Sequence, residues 1–253
     1  MTLRAAFFDV GDTLVEHWAP PDAMHAILRE ALRREFGERE WYERWITGEV
    51  RPPGTGRGGS SNDAAVDEEA LRQETNRWYE DWFRNAQIGI DDIEMDRLRS
   101  VMTVPLDLVS TPVPGAFAAV RWCKTRGLAV VLVTNTLSRG DEEAWIDWQR
   151  VGLADAIDAI VTSHSVGWQK PHRRIFERAL ELARAAPNEA VMVGDRLDAD
   201  VWGASRLGIR TVLRRTSHEQ PAVDATPDAV IDDLTELPAV LRAWLGVPTA
   251  HGP

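Results

Sequence analysis

Positions 3–10 read LRAAFFDV, a short apolar run that stops at Asp9 and is followed at once by Gly11. A run this brief and this uniformly apolar predicts a strand buried on both faces. Beyond position 16 the period changes. Met24, Ile27, Leu28, Ala31 and Leu32 recur at the spacing of one helical face, predicting a helix over 22–36 just after Pro20-Pro21. A helix bearing Trp41 and Trp45 should follow, then the glycine-rich stretch RPPGTGRGGSSND at 51–63. Two further helical patterns come next. One runs through Leu71, Thr75, Trp78 and Trp82, the other through Ile93, Leu98, Val101 and Met102. No strand pattern interrupts positions 16–110, so this stretch is expected to be an all-helical insertion.

From Thr111 onward strands and helices alternate. Helices are expected at 114–127, 142–151, 171–185, 199–207 and 236–245. Strands are expected at 128–136, 157–162, 190–194, 210–213 and 229–231, and a frayed tail follows Gly246. Such alternation predicts an α/β fold with a mostly parallel sheet covered on both faces. A chain of 253 residues suits one such domain carrying an insertion, or two modest domains.

Charge narrows the partners. The net charge of -11 argues against non-specific binding to nucleic acid or to an anionic membrane, since both need a basic face. The N-terminus lacks a signal-peptide pattern and no stretch approaches a membrane span. The single cysteine, Cys123, excludes an internal disulfide, fits a reducing cytoplasm and reads as core filler. Oligomeric state is not legible. Lysine occurs only at Lys124 and Lys170 among 29 basic residues. A lysine in an arginine-rich chain is informative, because a compact ammonium and a planar guanidinium are not interchangeable at a tight site.

In an open parallel sheet, ligands gather beyond the carboxyl ends of the strands. Asp9, Thr134-Asn135 and Gly194-Asp195 all fall at such ends, and Lys170 opens a helix with Pro171. Singly, each has a plain reading: a capping acid, a turn, a solvated charge. His164, His172 and Asp198 read as surface or capping residues. The cap-region tryptophans read as packing, and Trp168 is a candidate to line a cleft. The glycine-rich stretch lacks a Walker lysine and reads as a linker.

Taken in order, FFDVGDTL, VLVTNT, WQKPHRRIF and VMVGDRLDADVWGA resemble the four signature motifs of the haloacid-dehalogenase-like hydrolase superfamily. That resemblance implies a Rossmann-like three-layer core over 1–15 and 109–253, with 16–108 as an all-helical cap domain. It also implies a phosphatase chemistry on a small phosphorylated molecule. Asp9 would be the nucleophile. Asp9, Asp195 and the carbonyl of Gly11 would bind Mg²⁺. Thr134, the amide of Asn135 and Lys170 would hold the phosphoryl group. Asp200 would orient Lys170 or a metal-bound water.

One position departs from the pattern. The family's first motif carries a second Asp, two residues after the nucleophile, as general acid and base; here that residue is Gly11. Asp12 matches a variable position expected to face elsewhere, although it, a cap residue or the substrate could supply the proton. Weak hydrolysis biased to activated leaving groups is therefore expected. The alternative is a catalytically degenerate binding or scaffold protein. Dehalogenases of the family carry Ser and Asn where this chain has Gly194-Asp195, which argues against dehalogenation. Phosphonate hydrolases need a cap lysine and 16–110 contains none. Phosphomutases keep both acids.

Overall fold

The computed structural model describes residues 2–17, 20–39, 71, 83–84, 87–89, 91–102, 105–136 and 139–246. The helices expected around Trp41 and Trp45 and around Thr75, Trp78 and Trp82, the glycine-rich stretch and the tail after Gly246 lie outside those residues.

Six strands form one parallel sheet. They are β1 (Ala5–Phe8), β4 (Ala129–Thr134), β5 (Ala159–Thr162), β6 (Ala190–Gly194), β7 (Arg210–Arg214) and β8 (Ala229–Ile231), in the order β5-β4-β1-β6-β7-β8. The uniform apolarity of β1 follows from its place. It pairs with β4 on one side and β6 on the other, and its alternate side chains enter different cores. Ala6 and Phe8 pack with Val120, Trp148, Leu237 and Leu241 from the helices Ala116–Thr125, Asp141–Arg150 and Leu237–Leu245. Ala5 and Phe7 pack with Ile175 and Phe176 from the helix Arg173–Ala183. This is the three-layer arrangement that a parallel sheet requires.

The chain runs outward from β1 through β4 to β5, then returns to place β6 against the free edge of β1. The order of strands reverses there, which opens a crevice at their carboxyl ends.

Three elements differ from expectation. Val15–His17 (β2) and Ser110–Pro112 (β3) pair antiparallel at the two roots of the insertion, where an uninterrupted helical pattern was expected from position 16 to 110. VEH and STP are short and carry no apolar run to register as a strand, unlike the equally short AVI of β8. The helix expected at 199–207 begins instead as a π turn over Leu197–Val201, followed by an α-helix at Trp202–Ser205. Periodicity does not separate these two windings over so few residues. Within the insertion, helices occupy Pro21–Phe36 and Asp92–Met102. They bury Leu28 and Leu32 from the first and Met95 and Leu98 from the second. No helix among the described residues is long and apolar enough to cross a membrane.

Cys123 is fully buried between helix and sheet, and burial pushes its thiol up to about 12. It should therefore resist a thiol-specific chromogenic reagent in the native protein and react fully once urea unfolds the chain. Rapid native labelling would contradict this placement.

Candidate active site

Asp9 follows β1, Thr134 ends β4 and Asp195 follows β6, so three neighbouring strands deliver their polar ends to one rim. Lys170 arrives from the β5 side, after the short helix Ser163–Val166. All four side chains are buried, as is Asp200.

Lys170 organises the rim. Its Nζ donates to Asp9 Oδ1 at 2.5 Å, to Asp200 Oδ1 at 2.7 Å and to the Val133 carbonyl at 2.8 Å. An ammonium has three donors, and here all three are used. A planar guanidinium cannot direct three bonds from one point, which accounts for a lysine in a chain that otherwise favours arginine. The loop that carries it is held by Asn135, whose side-chain Oδ1 accepts from the Lys170 amide at 2.8 Å while its Nδ2 donates to the Lys170 carbonyl at 3.2 Å. The side chain of Asn135 is thus committed to the main chain of Lys170.

Asp200 sits in the π turn, where the amides of Asp200 and Val201 both donate to the Arg196 carbonyl. There Oδ2 accepts from the Arg196 amide at 3.1 Å while Oδ1 faces Lys170. Gly194 makes room. A methyl group added at Gly194 would sit 2.3 Å from the Asp200 carboxyl carbon.

Carboxylate oxygens of Asp9, Asp195 and Asp200 all lie within 4.8 Å of one another. Burial, followed by repulsion from Asp9 and Asp200, pushes the Asp195 carboxyl up to about 8. Burial also raises Asp200, to about 6, with Lys170 opposing the rise. For Lys170 burial alone would depress the ammonium, but the charges of Asp200 and Asp9 outweigh it and hold the group protonated. Three buried acids around one ammonium leave negative charge in excess.

The remaining predicted residues separate. Asp12 adopts a left-handed backbone, with φ of 56°, and its carboxylate lies 3.5 Å from His218 Nε2, outside the acidic cluster. Gly11 sits in the tight turn between Asp9 and β2, where the amides of Thr13, Leu14 and Val15 all point at the Val10 carbonyl. Trp168 stacks on His172 with ring centroids 4.0 Å apart, and the Arg174 guanidinium lies over it at 5.1 Å. His172 caps the helix Arg173–Ala183 through Nδ1. Asp198 is no solvated acid: it makes a two-bond pair with Arg196.

Two contributors escaped the sequence reading. Thr13 is fully buried, with its hydroxyl 3.3 Å from both Asp9 Oδ2 and Asp195 Oδ1. Its position four residues after Asp9 is the signal that could have found it. The Val133 carbonyl carries no side-chain signal at all. One contact also reaches the site from the insertion: the Gln169 amide donates to the Leu71 carbonyl at 2.9 Å, next to Lys170.

A family model for haloacid dehalogenase-like hydrolases matches residues 3–208. The chain belongs to the haloacid dehalogenase-like hydrolases. This hydrolase is 28% identical over 249 residues to a glyceraldehyde 3-phosphate phosphatase of Methanopyrus kandleri, covering 95% of this chain and 97% of the relative. It is 37% identical over 126 residues to a phosphoserine phosphatase of Thermus thermophilus, covering 49% of each. The chain spans about half the length of most curated relatives it matches. A 2-haloacid dehalogenase from Pseudomonas syringae pv. Tomato shares the fold, with a TM-score of 0.62 at 22% identity over 96% of this chain and 100% of that one. At that identity the likeness speaks for the fold alone.

Gly194→Ala should displace Asp200 and destabilise the hydrolase by about 1–3 kcal/mol, the usual cost of forcing extra volume into a packed site. Urea unfolding measures it, and an unchanged midpoint would contradict the packing of Asp200 against Gly194.

Proposed function

We propose that this hydrolase is a Mg²⁺-dependent phosphatase that acts on a small phosphorylated molecule through an aspartyl-phosphate at Asp9. The observation that carries this reading is the single Lys170 ammonium held between Asp9 and Asp200, with Asp195 in the same buried cluster. Relatives named as phosphatases support the substrate class.

The excess of negative charge fits a divalent cation, because buried carboxylates need a counter-charge and hard oxygen donors suit Mg²⁺. Asp9, Asp195 and the carbonyl of Gly11 would hold it. When bound, Mg²⁺ supplies positive charge that lets a carboxylate approach an anionic phosphate. An Asp9 oxygen attacks phosphorus, and the bond to the leaving oxygen breaks with its electron pair staying on that oxygen. Water then adds to phosphorus and the Asp9 carboxylate departs. The Thr134 hydroxyl and the Asn135 amide bind the phosphoryl oxygens as charge builds, joined by the Lys170 N–H that Asp9 gives up when its carboxylate attacks. Asp200 keeps Lys170 aimed.

Gly11 removes the usual proton donor. Loss of such help costs about 10²- to 10⁴-fold, so leaving groups that depart without a proton, such as acyl phosphates, suffer least. Asp12 pairs toward His218, which weakens its claim as a substitute. Residues 16–108 form the cap in this reading, supported by their helices and by the contact from Leu71 to Gln169. The second reading, a degenerate binding protein, is favoured by Gly11 itself. Asp195 disfavours dehalogenation.

With Mg²⁺, the protein should hydrolyse acetyl phosphate faster than p-nitrophenyl phosphate, and Asp9→Asn should abolish both activities. Gly11→Asp should raise turnover, most for unactivated esters; no hydrolysis by either protein would leave the binding reading in its place.

The acidity of the cluster sets a second expectation. Asp195 stands at about 8 when buried without a cation, against an ordinary 3.8. Its ionisation costs stability progressively as pH rises between those values. Mg²⁺ binds the ionised form, so protons compete with it below 8. The rise in melting temperature caused by Mg²⁺ should therefore be larger at pH 8 than at pH 6, and the opposite order in a thermal-shift series would count against this site.

A further inference from the structure

The end of β7 and the segment that follows it touch both of the turns that carry the acids. Arg214, the last residue of β7, donates to the Asp12 carbonyl at 2.5 Å and to the Glu16 carboxylate at 3.0 Å. Gln220 uses both ends of its amide on the other turn. Its Nε2 donates to the Asp195 carbonyl at 2.9 Å, and its Oε1 accepts from the Leu197 amide at 2.9 Å. Those two main-chain groups flank Arg196. The Leu197 amide opens the π turn, where no earlier turn supplies an acceptor.

Asp195 needs such a hold. Its carboxylate faces those of Asp9 and Asp200 across less than 4.8 Å, and like charges at that distance repel. The charge of Lys170 opposes part of that repulsion, and the Thr13 hydroxyl reaches the carboxylate at 3.3 Å, a long hydrogen bond. In the middle of the Asp195–Leu197 turn the Arg196 amide and carbonyl are bonded to Asp200 and Val201, and Gln220 holds the main-chain groups on either side of them.

We propose that Gln220 is a positioning residue for Asp195, bridging the 195–197 turn so that the carboxylate stays in the acidic cluster, set for a divalent cation. The assignment rests on the Mg²⁺ reading above and adds a residue from a segment outside the four motifs. Gln220 touches neither the cation nor the substrate. Its effect falls on metal affinity rather than on the chemical step.

Calorimetric titration of Mg²⁺ into the metal-free full-length protein tests this, with Gln220→Ala and Gln220→Met compared with the parent. Methionine keeps the length of the side chain and loses both hydrogen bonds, so it separates bonding from packing. Both variants should bind Mg²⁺ about tenfold more weakly, the usual loss when a partner behind a metal ligand is removed. With saturating Mg²⁺, kcat and the KM for acetyl phosphate should stay within about threefold of the parent. Variants that melt earlier yet bind Mg²⁺ as tightly as the parent would reduce Gln220 to a structural residue and overturn the assignment. A parent that takes up no Mg²⁺ overturns the metal reading first, and the role of Gln220 with it.

Discussion

The burial of three carboxylates at the head of the sheet depends on the Lys170 ammonium. Moving a charge out of water costs several kcal/mol unless it is paired, and Lys170 pairs with Asp9 and Asp200 at once while a third bond goes to the Val133 carbonyl. Remove the ammonium and the acids must protonate or separate. Two contacts keep Lys170 in place: Asn135 clamps its main chain, and Asp200, in the π turn, accepts from its ammonium.

The same arrangement leaves negative charge over, and that surplus is chemically useful. A site with fully balanced charge would have no electrostatic reason to take up a cation, whereas Asp195, raised to about 8, shows how strongly the cluster resists full ionisation on its own. The geometry is therefore both costly and poised, as functional sites commonly are. Gly11 alters a different quantity. In the proposed reading it takes away a proton carrier, which bears on the leaving group, while the Lys170 contacts that assemble the site do not involve position 11.

Much of the fold is legible because the information is local. An unbroken apolar run such as AVMVG at 190–194 reports burial on both faces, and alternation of such runs with helical patterns reports a parallel sheet. The Asp9, Thr134, Lys170 and Asp195 positions are legible for the same reason: each follows a strand or opens a helix, and their order along the chain resembles a known family. The short strands β2 and β3 are not, since VEH and STP carry no apolar run, unlike the equally short AVI of β8.

The sequence by itself determined the strands, their polar ends and the presence of one informative lysine, because those depend on neighbours along the chain. Tertiary structure alone decided which atoms meet. The Thr13 hydroxyl on Asp195, the Asn135 side chain on the Lys170 backbone and Gln220 across the 195–197 turn are contacts between distant segments. No periodicity encodes them. They arise because the sheet order β4-β1-β6 brings three separate loops to one point, and distances of 3 Å are set only once the layers have packed.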